Sequence, residues 1–184
     1  KFQFMILGLK RKHNLCLDVN GMVVKAATSV KLLGVIIDQK LNFDIHIKEL
    51  CKKANRNSGA LRRIFHLMPY ENGKILFSTF FESTFGYCPI IWMFSNKIPN
   101  KELNSVQKRA LRMLTDNKGN HSHDELLEMT GCVKIHTRNL QILMTEIYRT
   151  VNKLNPPFMR DLLELKKIDY DFRVRKLLKL PSTN

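Results

Sequence analysis

The sequence lacks any pair of cysteines close enough to grip one metal ion. Cys16, Cys51, Cys88 and Cys132 stand far apart, whereas zinc sites draw two thiolates from spacings such as C-x-x-C. Cys132 lies near His121, His123 and His136; that spacing reads as an unpaired thiol beside surface histidines, as in a reducing compartment, and no metal ligand is assigned. No apolar run is long enough to span a bilayer, and the first residues carry no secretory h-region. These lacks point to a non-secreted protein of the nucleus or cytoplasm, with no membrane partner. There is no G-x-x-x-x-G-K-S/T loop to hold a nucleotide phosphate and no G-x-S-x-G elbow, hence no small-molecule substrate for this chain alone. Carboxylates are scarce too. Two-metal phosphoryl transfer needs several of them converging on ions about 4 Å apart, yet the only adjacent acidic pair is Asp124-Glu125. That pair falls in the first turn of an expected helix, where negative charge suits the helix dipole. No catalytic residue and no cofactor is assigned.

Positive charge is what the chain has in excess. Lys and Arg total 31 against 16 Asp and Glu in 184 residues, a formal net charge of +15. A hydrophobic content of 44% excludes general disorder, so the charge sits on a folded surface. Such a surface attracts phosphate polymers or anionic membranes. The chain opens at "KFQFMILG", without an initiator Met and inside an apolar strand pattern, and stops at "LKLPSTN" with no helix cap. It reads as a piece of a longer polypeptide.

Periodicity divides it into four segments. Residues 1–43 are β-rich. Residues 2–8 read as a strand, and Leu15, Leu17 and Val19 alternate before an Asn20-Gly21 hairpin turn and a return strand from Met22. Residues 30–37 are nearly all apolar and read as one strand covered on both faces. Residues 44–118 turn helical and basic. At about 100° per residue, Ile47, Leu50, Cys51, Ala54, Ser58, Leu61, Phe65 and Met68 share one arc, and Lys48, Lys52, Arg56 and Arg63 gather on another. Asp44 is the expected N-cap and Pro69 the stop. Over residues 48–63 six cations meet one anion, Glu49. A merely solvated face usually mixes signs to pair residues four apart, so this face is assigned to a polyanion. Residues 71–88 read as a single apolar helix with Phe77, Phe80, Phe81 and Phe85 in the core, and Trp92 as a packing anchor. "KELNSVQKRALRML" repeats the amphipathic pattern, with Leu103, Val106, Ala110 and Leu114 inside and Lys101, Lys108 and Arg112 outside. In residues 119–168, Ser122 and Glu125 form a capping box, Gly131 ends the short helix, residues 134–154 make a long helix stopped by Pro156-Pro157, and 160–168 is a further helical stretch. Residues 169–184 are a basic, extended tail. The fold class is α+β: a small, mostly antiparallel sheet followed by a mainly helical bundle.

"KFQFMILG", "VKLLGVIIDQKLNFDIHIKELCKKANRNSGALRRI", "YCPIIWMF", "VQKRALRML" and "NPPF" together resemble, in order and spacing over essentially the whole chain, the end of a jockey-like non-LTR retrotransposon reverse transcriptase. The resemblance implies that residues 1–43 are the edge of a palm, with a primer-grip-like turn at Leu32, Leu33 and Gly34, and that 44–118 form a thumb and 119–168 a connection. Leu32 stands where the family is often aromatic, and Lys1 where it has a lysine after the catalytic motif. The aromatic-Ala-Asp-Asp hairpin lies outside this sequence, so Mg²⁺ is expected only for a full-length polymerase, and this chain alone is expected to be inactive. The implied partners are an RNA template/DNA primer duplex and the upstream palm and fingers of the same polypeptide, with Lys48, Lys52, Arg56, Arg63, Lys101, Lys108 and Arg112 on the nucleic acid. The same features also suit a non-enzymatic basic helical interaction or nucleic-acid-binding module, left from a decayed or recruited element.

Overall fold

Asn20 and Gly21 both take positive φ, 52° and 78°, the conformation that a two-residue hairpin turn requires. They join β1 (Cys16–Val19) to β2 (Met22–Lys25), with Val19 opposite Met22. The Asp18 carboxylate accepts a hydrogen bond from the Gly21 N–H at 2.8 Å and fixes the turn. A computed structural model describes residues 2–8, 16–94, 97–115, 119–161, 163, 165–166 and 177–178. Lys1 and, apart from 177–178, the tail at 169–184 lie outside the described residues.

The apolar run at 30–37 is not one covered strand. It is a second hairpin, β3 (Ser29–Leu32) and β4 (Val35–Asp38), with Leu32 opposite Val35. Leu33 and Gly34 form the turn, at φ 46° and 91°. Only Val35 is fully buried, and Leu32 and Leu33 are exposed at the tip. Uniform hydrophobicity hid the turn, because Leu is a residue that seldom adopts positive φ. The two hairpins do not join into one sheet. Residues 2–8 form no regular strand either. They are tied to the second hairpin by the Ala27 N–H donating to the Phe4 carbonyl at 2.9 Å and the Gly8 N–H to the Gln39 carbonyl at 3.3 Å.

Asp38 then organises the passage into helix. Its carboxylate accepts from the backbone N–H groups of Lys40 (2.9 Å), Asn42 (3.2 Å) and Phe43 (2.7 Å). Helix α1 (Asp44–Arg62) therefore starts behind Phe43, which is left-handed at φ 57° and gives no side-chain cap; Asp44 is the first helical residue and not the cap. Its apolar arc goes where the wheel places it: Ile47, Cys51, Ala54 and Leu61 are buried. The helix ends before Pro69, and a 3-10 turn over Phe65–Leu67 leads to α2 (Tyr70–Phe80). The expected single helix at 71–88 is broken after Phe80, by a 3-10 turn at Glu82–Phe85 and then the short α3 (Pro89–Trp92). This break brings Phe77, Phe81 and Phe85 into one ring cluster, Phe77 and Phe81 stacked with centroids 4.8 Å apart and Phe81 and Phe85 edge to face at 5.5 Å. Phe80 points away, half exposed. Trp92 is the expected anchor: it is buried, and its indole N–H donates to the Tyr87 carbonyl at 3.1 Å.

Helix α4 (Lys97–Leu114) packs chiefly on α1 and buries Leu103, Val106, Ala110, Leu111 and Leu114. Its buried Gln107 donates to the Val133 carbonyl (2.8 Å) and accepts from the Ile135 N–H (3.2 Å), tying the start of α6 to the core. Ser122 and Glu125 form the capping box of α5 (His123–Thr130), and Gly131 closes it at φ 64°. Helix α6 (Ile135–Val151) ends three residues before the expected limit. Lys153 turns left-handed at φ 63°, and the Leu154 N–H returns to the Arg149 carbonyl at 2.8 Å, a Schellman closure that ends the helix upstream of the prolines. Pro157 opens α7 (Pro157–Asp161) instead of only stopping α6. Of the helix expected at 160–168, the described part holds just the end of α7 and a two-residue strand β5 (Leu165–Lys166), antiparallel to β6 (Leu177–Leu178). The fold is α+β. The chain forms two compact units, residues 1–139 and 140–184, and the clefts described next lie in the first. Among the described residues, no helix is long and apolar enough to cross a membrane.

Candidate nucleic-acid interface

The packing of α1 on α4 decides which cations face each other. A groove of about 450 Å³ runs between the two helices, with Lys48, Lys52 and Asn55 on one wall and Lys101, Ser105 and Arg109 on the other. Among its lining residues Glu102 is the one carboxylate. Lys52 donates to Glu49 at 2.7 Å across one turn, with both groups largely exposed. Such a pair is worth little and is readily exchanged. No ion pair involves Lys48, Lys101 or Arg109 among the described residues. The groove floor carries Cys51, whose thiol is pushed up to about 11 by burial, with Glu102 adding a smaller push. A thiol so placed stays protonated at neutral pH and is a poor nucleophile.

The groove continues toward the C-terminal ends of both helices. Arg109 also lines a second cleft, shared with Arg62 and Arg112. Arg112 is held there by donation from Nη2 to the His121 carbonyl at 3.3 Å.

Arg56 lies on the opposite flank of α1. There Lys31, Lys53 and Arg56 line a third cleft of about 390 Å³ with Gly34, His46, Glu49 and Tyr87. The Tyr87 hydroxyl donates to the Leu33 carbonyl at 2.6 Å, and a Cβ on Gly34 would meet the Tyr87 ring at 3.3 Å. The hairpin turn is thereby pinned to the helical part. His46 is almost wholly buried; its Nδ1 accepts from the Ile36 N–H at 3.3 Å and Nε2 has no partner among the described residues. Burial, then the nearby Lys31, holds its pKa below the ordinary histidine value, so the ring is neutral at pH 7.

Of the seven cations assigned from sequence, Lys48, Lys52 and Lys101 thus meet in one groove, Arg112 stands in its continuation, and Arg56 faces elsewhere. The exposed Arg63 and the half-buried Lys108 line none of the three clefts. Leu32, Leu33 and Gly34 are together at the hairpin tip. Sequence reasoning missed Arg62 and Arg109. A signal existed: Lys48, Lys52, Asn55 and Arg62 recur at intervals of four, three and seven, a single helical stripe. Comparison of the chain with protein-family models, curated proteins and solved structures finds no match. Among the described residues no group of three or more His, Cys, Asp or Glu is placed to hold a metal ion.

Proposed function

We propose that this chain holds a nucleic-acid duplex by its phosphate backbone, as the thumb-like part of an RNA-directed DNA polymerase of the non-LTR retrotransposon kind that it resembles. The α1–α4 groove carries the proposal. Four cations from two helices face one channel that contains a single carboxylate, an arrangement that concentrates positive potential where a polyanion can lie. Backbone contacts fix register and orientation without reading bases, which is what an enzyme copying arbitrary templates needs. Chemistry on the nucleotide is assigned to residues outside this chain.

The test is binding of primed RNA–DNA hybrid across a salt series, with duplexes of unrelated sequence. Each neutralised phosphate adds about 0.7–0.9 to the log–log slope, so the four groove cations predict a slope of about 3 in magnitude and equal affinity for every sequence. A flat salt response, or strong preference for one sequence, contradicts the proposal. Indifference between the hybrid and an unrelated polyanion such as heparin favours the non-enzymatic basic module.

A further inference from the structure

The cleft beyond the groove differs from it in containing rings. It measures about 570 Å³, and its lining includes Arg62, Arg109 and Arg112 together with Phe65, His66 and Tyr70. Phe65 and His66 come from the 3-10 turn between α1 and α2, and Tyr70 is the first residue of α2, directly after Pro69. His66 and Tyr70 are both exposed, so ring surface remains in solvent. No carboxylate lines the cleft among the described residues. Arg112 brings a buried Nε without a hydrogen-bond partner among those residues. The volume falls within the range of roughly 300–1,000 Å³ usual for small-ligand sites.

We propose that this cleft takes an unpaired nucleotide, its phosphate on Arg62, Arg109 and Arg112 and its base against Tyr70 and His66. The proposal rests on the duplex reading for its geometry. Arg109 lines both clefts, so a strand leaving a duplex in the α1–α4 groove passes directly into the second. Base–aromatic stacking is tolerant of sequence, because every base has a π-face. The cleft therefore adds affinity for an overhang without adding sequence preference.

The experiment compares three ligands at one salt concentration, using the whole chain: a blunt RNA–DNA duplex, the same duplex carrying a four-nucleotide single-stranded overhang that contains 2-aminopurine, and the free overhang strand. The overhang is expected to tighten binding about tenfold, the size of one stacking contact, and to quench the 2-aminopurine. Tyr70→Ala should abolish both effects and leave blunt-duplex affinity unchanged. Arg62→Gln should reduce the gain, and Tyr70→Phe, which keeps the ring, should restore it. Equal affinity with and without the overhang in the parent, or a gain that survives Tyr70→Ala, overturns the proposal. Binding of the free overhang strand but not of the blunt duplex removes the duplex reading and leaves the cleft as a single-strand site. Failure to bind any of the three removes both.

Discussion

The two flanks of α1 are both cationic and differ in what stands opposite them. On one, Lys48 and Lys52 face a second helix with its own cations, and the groove opens into a further cleft through Arg109. On the other, Lys53 and Arg56 face a β-hairpin, beside the buried neutral His46 and the Glu49 carboxylate of α1 itself, and Tyr87 pins the hairpin turn in place. Net charge alone does not distinguish them. What distinguishes them is the partner element: α4 extends the first flank along a helix pair, whereas the hairpin limits the second to a local cleft. A polyanion needs charge spaced along a length, so the first flank is the one to which the proposal assigns the backbone.

Both flanks depend on the shared core, and the largest effect comes from breaking it. Ala54 is completely buried in the apolar cluster that joins α1 to α4 and the phenylalanine rings. Ala54→Asp places a charge there without a partner, at a cost of several kcal/mol. It is expected to abolish cooperative thermal unfolding followed by Trp92 fluorescence, and to lose duplex binding with it. A variant that melts like the parent would show that α1 and α4 are not held by this cluster.

A smaller change separates the flanks. Gly34→Ala forces a Cβ onto a residue at φ 91°, 3.3 Å from the Tyr87 ring. Left-handed strain of this kind costs about 1–2 kcal/mol, and the loss falls on the hairpin flank alone. The melting temperature should drop while the salt slope of duplex binding stays at the parental value. A slope that falls with the hairpin would place the duplex on the second flank.

His46 offers a still finer separation, by pH. Its folded pKa is depressed by burial and then by Lys31. A lowered histidine pKa means that the unfolded chain binds the proton more readily. The neutral ring's contribution is therefore complete above the ordinary value of about 6.5 and is lost as pH falls through and below it. Lys31 opposes a further positive charge there; Lys53, Arg56 and Glu49 line the same cleft. His123, also depressed by burial, contributes with the same sign from another place. Melting between pH 8 and pH 5 should show a decline that is reduced in His46→Asn, whose side-chain oxygen can replace Nδ1 as acceptor for the Ile36 N–H. An unchanged decline would assign the pH dependence to His123 and the carboxylates.

Much of this architecture is legible in the sequence where one residue type has one job. Asn20-Gly21 announces its hairpin because both residues tolerate positive φ, and Ser122 with Glu125 announces a helix start because the two side chains satisfy each other's backbone donors. The arc from Ile47 to Leu61 predicts the buried face of α1. Leu33-Gly34 was hidden, since a turn made by an apolar residue looks like strand. The start of α1 was hidden as well, because the carboxylate that organises its entry is Asp38, which binds the N–H groups of Lys40, Asn42 and Phe43 ahead of the helix, and not Asp44. The candidate interface was half visible. A helical wheel places Lys48, Lys52 and Arg56 within about 80° and has no means of saying on which side of that arc another helix will pack. Once α4 packs beside Cys51, Lys48 and Lys52 fall within the groove, Arg56 falls outside it, and Arg62 and Arg109 enter it or its continuation.

The most direct test of that division uses two double variants of equal charge. Lys48→Glu with Arg109→Glu alters the α1–α4 groove, and Lys53→Glu with Arg56→Glu alters the hairpin flank. Each pair exchanges two cations for two anions, so any effect of overall charge is the same in both. Duplex binding across a salt series should lose about 1.4–1.8 in slope for the first pair, two phosphates at about 0.7–0.9 each, with affinity at least tenfold weaker than for the second pair at the same salt. Equal losses in slope and affinity for the two pairs would contradict the account, because positive charge without position would then explain the binding.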